Sequence, residues 1–347
     1  MMTAIDGIPT RLLLQSSRLG MADGQRRLSQ AQAEAASGRH QDIGLTLGNV
    51  MGADIGLRLH LSGLEQSVST TRLLTVQAET VQDSLSEMSG LADRFRSTLT
   101  GARSSANGRA LSASLAGSSI DSFRDSLSVS QNGQYLFSGL AADTPPINAY
   151  DGGPRQAVID AFQTAFGFAP DDPAAATLTA GDISSFLDST CSALFSGSSW
   201  TSTWSNAADE TPKVRLISGS TVNLSTSANA TFAKMLAEGF AIVEVFGGSK
   251  INATAFAAIT DKSLSLISEA QLKIGDEQAR IGIGQARLKD ALLTLEQKKP
   301  RLTEAISDFE NIDPYEAATR VNLLMNQLES SYALTGRISR MNLLSYL

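Results

Sequence analysis

The 347 residues suffice for two or three compact units, and 42% hydrophobic against 6% aromatic content favours helices paired through Leu, Ile and Ala over one aromatic-rich core. A formal charge of −7, with no basic cluster beyond Lys298-Lys299-Pro300-Arg301, argues against a nucleic-acid binder. The single cysteine, Cys191, rules out an internal disulfide and a cysteine zinc cluster, and His40 and His60 leave little for metal ligation or acid–base catalysis.

In chain order, residues 8–38 carry Leu14, Met21 and Leu28 at seven-residue intervals with small residues between, the mark of a narrow helical stripe. This start lacks the basic end and long apolar stretch of a cleaved secretory signal. Leu57, Leu61, Leu64, Val68 and Thr71 then follow alternating steps of three and four. After a one-place shift, Leu74, Ala78, Val81, Leu85, Met88, Ala92, Phe95 and Leu99 continue that pattern as one long helix. Asn107-Gly108 reads as a turn, and a further helix is expected from about Leu111 to Gln131, through Leu115, Phe123 and Leu127.

The block Gly133-Gln134-Tyr135-Leu136-Phe137-Ser138-Gly139, with Pro145-Pro146 after it, interrupts this helical text. Tyr135 and Phe137 are expected to pack inward, Gly139 to permit a turn and Pro145 to redirect the chain. Between about 140 and 255 breaker-rich stretches alternate with short elements. Residues 211–227 read as two strands around Ser218-Gly219-Ser220, and 229–248 as a helix stopped by Gly247-Gly248. Cys191 lies in a helix-like apolar run, where a small buried side chain is the expectation.

From Leu264 the three–four stepping returns, with Ile267, Ile274, Ile281, Leu288, Leu295, Leu302 and Phe309 at one heptad position. The other position is mixed, with Gln271, Gln278, Gln285 and Lys299 among Leu264, Leu292 and Ile306, and Pro300 is expected to kink or break the helix. Asp313 reads as an N-cap with Pro314 at the first helical position and Glu316 as its capping-box partner. Val321, Leu324, Leu328, Leu334, Ile338, Met341, Leu344 and Leu347 then form a stripe, with Ser331 in line, that reaches the last residue. Large apolar residues there imply a partner surface, and the N-terminal stripe could pair with it.

Catalytic signatures do not emerge. There is no phosphate loop, nucleophile elbow, zinc-protease motif or calcium loop. Asp171-Asp172 and the Asp308, Glu310, Asp313 group read as caps, and Gly282 and Gly284 fall inside a heptad run rather than after a strand. Asn223, Asn229 and Asn252 match the N-glycosylation pattern at the frequency chance allows in a Ser/Thr-rich chain. No apolar run reaches the ~20 residues of a membrane span. The reading is therefore a non-enzyme without cofactor or metal, binding no nucleic acid and not inserting in a membrane.

The C-terminal segment resembles the terminal segment of the flagellin superfamily at Ser307-Asp308, Ala317-Ala318-Thr319-Arg320, Gln327-Leu328, Ser331-Tyr332, Ile338-Ser339 and Leu343-Leu344 with Tyr346-Leu347. Ser37-Gly38-Arg39 resembles the family's early turn, although the usual Asp-Asp-Pro after it is reduced to Asp42. The Gly133–Gly139 block with Pro145-Pro146 resembles the hook–filament junction branch rather than the filament branch.

This resemblance implies a mainly α fold with a small α+β insertion, an elongated rod of long coiled-coil helices drawn from both chain ends. It implies inner coiled-coil segments at 1–42 and 313–347, rod helices at 43–140 and 256–312, and an outer domain at 141–255. It further implies a homo-oligomer in a helical assembly, with the other junction protein, flagellin and an export chaperone as partners. The location is then extracellular, in the bacterial flagellum, reached through the flagellar type III channel without signal cleavage. A divergent flagellin is the alternative.

Overall fold

The computed structural model describes residues 8–42, 48, 51–102, 107–216 and 219–344, with backbone alone at 8–14 and 338–344. It separates into two compact units, one of Met1–Ser67 with Leu295–Leu347 and one of Val68–Thr294. Three long helices and a terminal fourth carry about half of the chain: α1 (Ile8–Ser37), α2 (Met51–Ala102), α9 (Ala253–Glu310) and α10 (Pro314–Leu344). The chain is mainly α, and its strands are short and confined to the middle.

Within the Val68–Thr294 unit the heptad reading becomes packing. Ala78, Val81, Leu85, Met88, Ala92, Phe95 and Leu99 of α2 are all buried, as are Ile267, Ile274, Ile281 and Leu288 of α9. The polar half of the α9 stripe has specific partners. Gln271 Nε2 donates to the Ser89 carbonyl at 3.4 Å and Gln278 Nε2 to Ser86 Oγ at 2.9 Å, while Gln82 Nε2 donates to the Gln278 carbonyl at 3.1 Å. A one-turn slip would strand these amides against apolar neighbours, so they fix register at some expense in stability.

Helix α3 (Gly108–Leu127) lies against α8 (Thr231–Gly247), which is buried nearly all round, as expected of an apolar helix at a core's centre. The Phe240 ring meets Phe95 at 4.8 Å and Phe123 at 6.3 Å, both edge-on. Arg109 closes the C-terminal end of α8. Its guanidinium donates to the carbonyls of Ile251 (2.7 Å), Ser249 (3.1 Å) and Phe246 (3.4 Å) and lies 4.5 Å above the Phe256 ring.

The middle of the chain holds β1 (Ser130–Gln131), β2 (Gln134–Tyr135), α4 (Pro154–Phe166), α5 (Ala180–Phe186), a π-helical turn at Leu187–Cys191, α6 (Ser192–Leu194) and α7 (Gly197–Thr203). The antiparallel pair β3 (Lys213–Arg215) and β4 (Thr221–Asn223) follows, with Val214 opposite Val222. Ser218, placed in that turn by the sequence, lies outside the described residues.

Helix α4 starts at a proline and ends at Gly167, whose φ of 82° suits only a residue without Cβ strain. Helix α5 begins with a capping box between Thr179 and Asp182, which holds the Asp182 carboxyl below its usual range. The low aromatic content conceals a local concentration. Phe162 contacts Phe166, Phe186 and Phe246 at 4.7–5.6 Å, and Trp200 stacks on Trp204 at 5.5 Å. Cys191 is fully buried there, and burial raises its thiol well above the usual range, so the thiolate is suppressed.

The break expected as one outcome at Pro300 does not occur. Helix α9 passes through Pro300 without ending. Pro300 sits on an exposed stretch, where water can replace the donor that proline lacks, and the helical residues on either side absorb its cost of ~3 kcal/mol.

Candidate functional site: the terminal helix pair and the joint

In the unit formed by both chain ends, α1 and α10 pack along one another. The seam mixes small residues with larger apolar ones. Ser17 Oγ and Thr335 Oγ1 are 2.8 Å apart, Thr335 Oγ1 also reaches Met21 Sδ at 3.8 Å, and a Cβ on Gly24 would sit 3.5 Å from Leu328. Ala31, Ala317 and Leu328 are buried, while Met21, Leu28, Val321 and Leu324 are half-buried along the same line.

Leu334 departs from the stripe read in the sequence. The seam runs 317, 321, 324, 328, 331, 335, alternating steps of four and three, whereas 328, 331, 334 takes two steps of three and swings off the face. Leu334 is 60% exposed, together with Leu19 (67%), Leu323 (62%) and Tyr332 (50%). The backbone of Leu14, Ile338, Met341 and Leu344 is helical; Leu347 lies outside the described residues.

A corner closes this unit. Gly38, at φ 70°, ends α1 by donating its N–H to the Glu34 carbonyl at 2.8 Å. His40 N then donates to the Glu310 carbonyl and Ile312 N to the Gly38 carbonyl, both at 3.0 Å, stitching the Ser37-Gly38-Arg39 turn to the start of α10. The Glu310 carboxylate is 2% exposed and pairs with Arg58 and, at 3.6 Å, with Arg39. Arg320 bridges Glu34 at 3.4 Å and Glu316 at 2.9 Å. Asp313 caps α10 by accepting from Tyr315 N at 2.8 Å, but Glu316 turns to Arg320 and the expected capping box does not form. Of the three carboxylates grouped in the sequence, Asp313 caps a helix, Glu310 pairs with arginines and Asp308 faces solvent.

The block around Tyr135, Phe137, Gly139 and Pro145, expected as the joint between rod helices and outer domain, belongs to the other unit. Asn132 (φ 51°) and Gly133 (φ 78°) make the two-residue turn of the β1–β2 hairpin, a form that needs positive φ at both positions. Phe137 is fully buried, Tyr135 half-buried and Pro145 exposed. Gly139, at φ 61°, sits so close to the 208–210 loop that a Cβ would lie 2.5 Å from the Ala208 carbonyl oxygen and 2.6 Å from that of Glu210. The backbone is tied on both sides: Leu140 N to Glu210 O and Ala208 N to Ser138 O at 3.0 Å, and Ala228 N to Phe137 O at 2.8 Å. The Pro145 and Pro146 carbonyls accept from Asn206 Nδ2 and Asn206 N. Phe137–Pro146 is thus a hub where three stretches of chain meet.

Residues 8–142 match the bacterial flagellin N-terminal helical region, and residues 264–347 match the bacterial flagellin C-terminal helical region. The chain belongs to the flagellin superfamily. Among solved structures, a Vibrio parahaemolyticus protein provisionally described as flagellar hook-associated shares the fold, at TM-score 0.52 and 14% identity, with 75% of this chain and 97% of that chain covered. A search of the curated proteins gave no match. The two flagellin matches contain both helices of the terminal pair, and the N-terminal one ends inside the joint. Flagellin-family proteins are structural subunits of a polymer, in keeping with a site made of helix faces rather than reactive groups. No helix among the described residues is long and apolar enough to cross a membrane.

Sequence reasoning missed Asn229, noted only for its glycosylation pattern. Its Oδ1 accepts from Trp200 Nε1 at 2.9 Å and Ser205 Oγ at 2.6 Å, and its Nδ2 donates to the Ala207 carbonyl at 2.8 Å and Asp209 Oδ1 at 2.7 Å. With all four positions filled and the residue buried, it is a structural pin, closed to modification. A lone sequence gives no sign of this, because its partners are 20–29 residues away.

Proposed function

We propose that this flagellin-superfamily chain is a structural subunit of the hook–filament junction, joining the hook-side junction protein to flagellin. It works by stacking its terminal helix pair against the pairs of neighbouring subunits. The observation that carries this reading is the outward face of the pair, where Leu19, Leu323 and Leu334 are turned to solvent at 60–67% exposure. Such residues on a thin two-helix pair call for a neighbour. The Gly133–Gly139 block favours the junction over the filament, as does the provisional description of the Vibrio structure. Export through the flagellar type III channel, with a chaperone on α10, follows from the same reading.

Deletion of the gene tests it. A junction subunit should leave cells that release unpolymerised flagellin from intact hooks, and a labelled copy should mark the hook tip. Loss of flagellin itself, or label along the whole filament, would replace the proposal with the filament reading.

A further inference from the structure

Helix α8 carries the Glu238 carboxyl into the core of the Val68–Thr294 unit, where the residue is 4% exposed and its Oε1 has no hydrogen-bond partner. Three groups face it: Lys262 from α9, and Asp188 and Cys191 from the π-helical turn at Leu187–Cys191. The buried positions of α3, which lies against α8, carry no charge, and on the α4 side Arg155 pairs with Glu244 at 3.1 Å. Among the described residues, Lys262 is the cation that acts on Glu238.

That cation is already engaged. Lys262 Nζ lies 2.6 Å from Asp188 Oδ1 and ties the turn to α9. The two carboxyl groups differ in what they need from it. The Asp188 side chain is 65% exposed, so water solvates it if the ammonium leaves. Glu238 is cut off from water, and a bare carboxylate there carries a large desolvation cost. Burial accordingly lifts its carboxyl from 4.5 up to about 7. Lysine is suited to changing partners, being a point charge on a flexible four-carbon stem. The turn itself has a rare geometry that is often found at functional positions in helices.

We propose that this cluster is a proton-controlled partner exchange: when Glu238 loses its proton, Lys262 leaves Asp188 for Glu238, and the π-helical turn loses its tether to α9. Because burial raises the midpoint, the folded chain keeps this proton until pH rises through about 7. The tether is therefore complete in acid and released in mild base. An exposed Lys–Asp pair contributes little, so its release loosens the turn locally and leaves the rest of the unit folded. The inference is independent of the assembly reading.

The test is a carbon-13 NMR titration of the side-chain carboxyls on the full chain, together with amide exchange at residues 188–191. Glu238 should titrate near 7. Asp188→Asn releases Lys262 in advance and should lower that midpoint by about one pH unit, a tenfold easier ionisation. In the Lys262→Met background the same change should move it by about a third of that or less, because no ammonium remains to be released. Direct repulsion between the two carboxylates would act equally in both backgrounds. Amide exchange at 188–191, taken as a ratio to Glu238→Gln at the same pH, should rise about threefold between about pH 5.5 and about pH 8.5, the size of one exposed ion pair. The proposal is overturned if Glu238 titrates near 4.5, if Asp188→Asn shifts it equally in both backgrounds, or if the exchange ratio stays flat while Glu238 ionises.

Discussion

Replacing Glu238 with Gln should stabilise the Val68–Thr294 unit near pH 8 relative to pH 4. Glu238 lies on α8 with 4% exposure, and its Oε1 has no hydrogen-bond partner. Lys262 of α9 faces it, as do Asp188 and Cys191 of the π-helical turn, and Lys262 is itself engaged by Asp188 at 2.6 Å. Burial pushes the carboxyl from 4.5 up to about 7, with Lys262 opposing the rise and Asp188 adding to it. The folded state therefore holds this proton more tightly than the unfolded chain. The stability it confers is complete below pH ~4.5 and is lost as pH rises through ~7. At about 1.4 kcal/mol per pH unit the loss is about 3 kcal/mol, or roughly 6–12 °C of midpoint for a unit of this size.

The amide brings its own packing penalty, but that penalty is the same at every pH. The gap between wild type and Glu238→Gln, followed by calorimetry from about pH 4 to about pH 8, should change by that amount in favour of the variant. A gap that stays constant across the range would show that Glu238 is ionised in the fold at no cost, and the burial argument would fall.

Gly139→Ala should lower the urea stability of the same unit by about 2 kcal/mol or more, because it combines a left-handed residue with a Cβ driven into two carbonyls. Gly133→Ala, with φ 78° but open space around it, is the control and should cost only about 1 kcal/mol. Arg109→Met removes three carbonyl contacts at the end of α8 and should cost about 2–3 kcal/mol, with faster amide exchange at residues 249–251 as the local readout. Leu323→Lys with Leu334→Lys should leave the helical content of the monomer unchanged, since both side chains are solvent-facing, yet block polymerisation with neighbouring subunits in sedimentation assays.

The long helices were legible because their pattern repeats. Seven buried positions of α2 from Ala78 to Leu99 follow the three–four stepping without exception, and Gln271 and Gln278 of α9 stood out as the mixed half of its heptad pattern. Pro300 does not end α9 because it lies on an exposed face of a long helix that can absorb it. The 150–207 region was opaque for a different reason. Its helices are short and Ser-, Gly- and Asp-rich, and they are held by rings scattered from Phe162 to Phe246 that no local window brings together. At the joint, Asn132-Gly133 carried an overt hairpin signal that the more conspicuous aromatic pair beside it obscured. Leu334 fell one place from the seam because stripes ending in small residues tolerate either step until a partner helix chooses between them.

That ambiguity has a physical consequence for how the chain ends work. Burying a Leu fully is worth about 1.5–3 kcal/mol, and among the described seam residues only Leu328 comes close to that, Met21, Leu28, Val321 and Leu324 being half-buried. Ser17, Gly24, Ala31, Ala317 and Thr335 let the backbones approach closely but remove little apolar area from water. Much of the restraint on the pair comes instead from its corner, where Glu310 meets Arg39 and Arg58 and Arg320 ties Glu34. Leu19, Leu323 and Leu334 offer larger side chains to the outside, and a neighbour covering the three would gain about 3–6 kcal/mol, allowing for the area already buried. A pair built this way is only modestly stable alone and gains most by being surrounded, a balance suited to the polymeric assembly of the flagellin family.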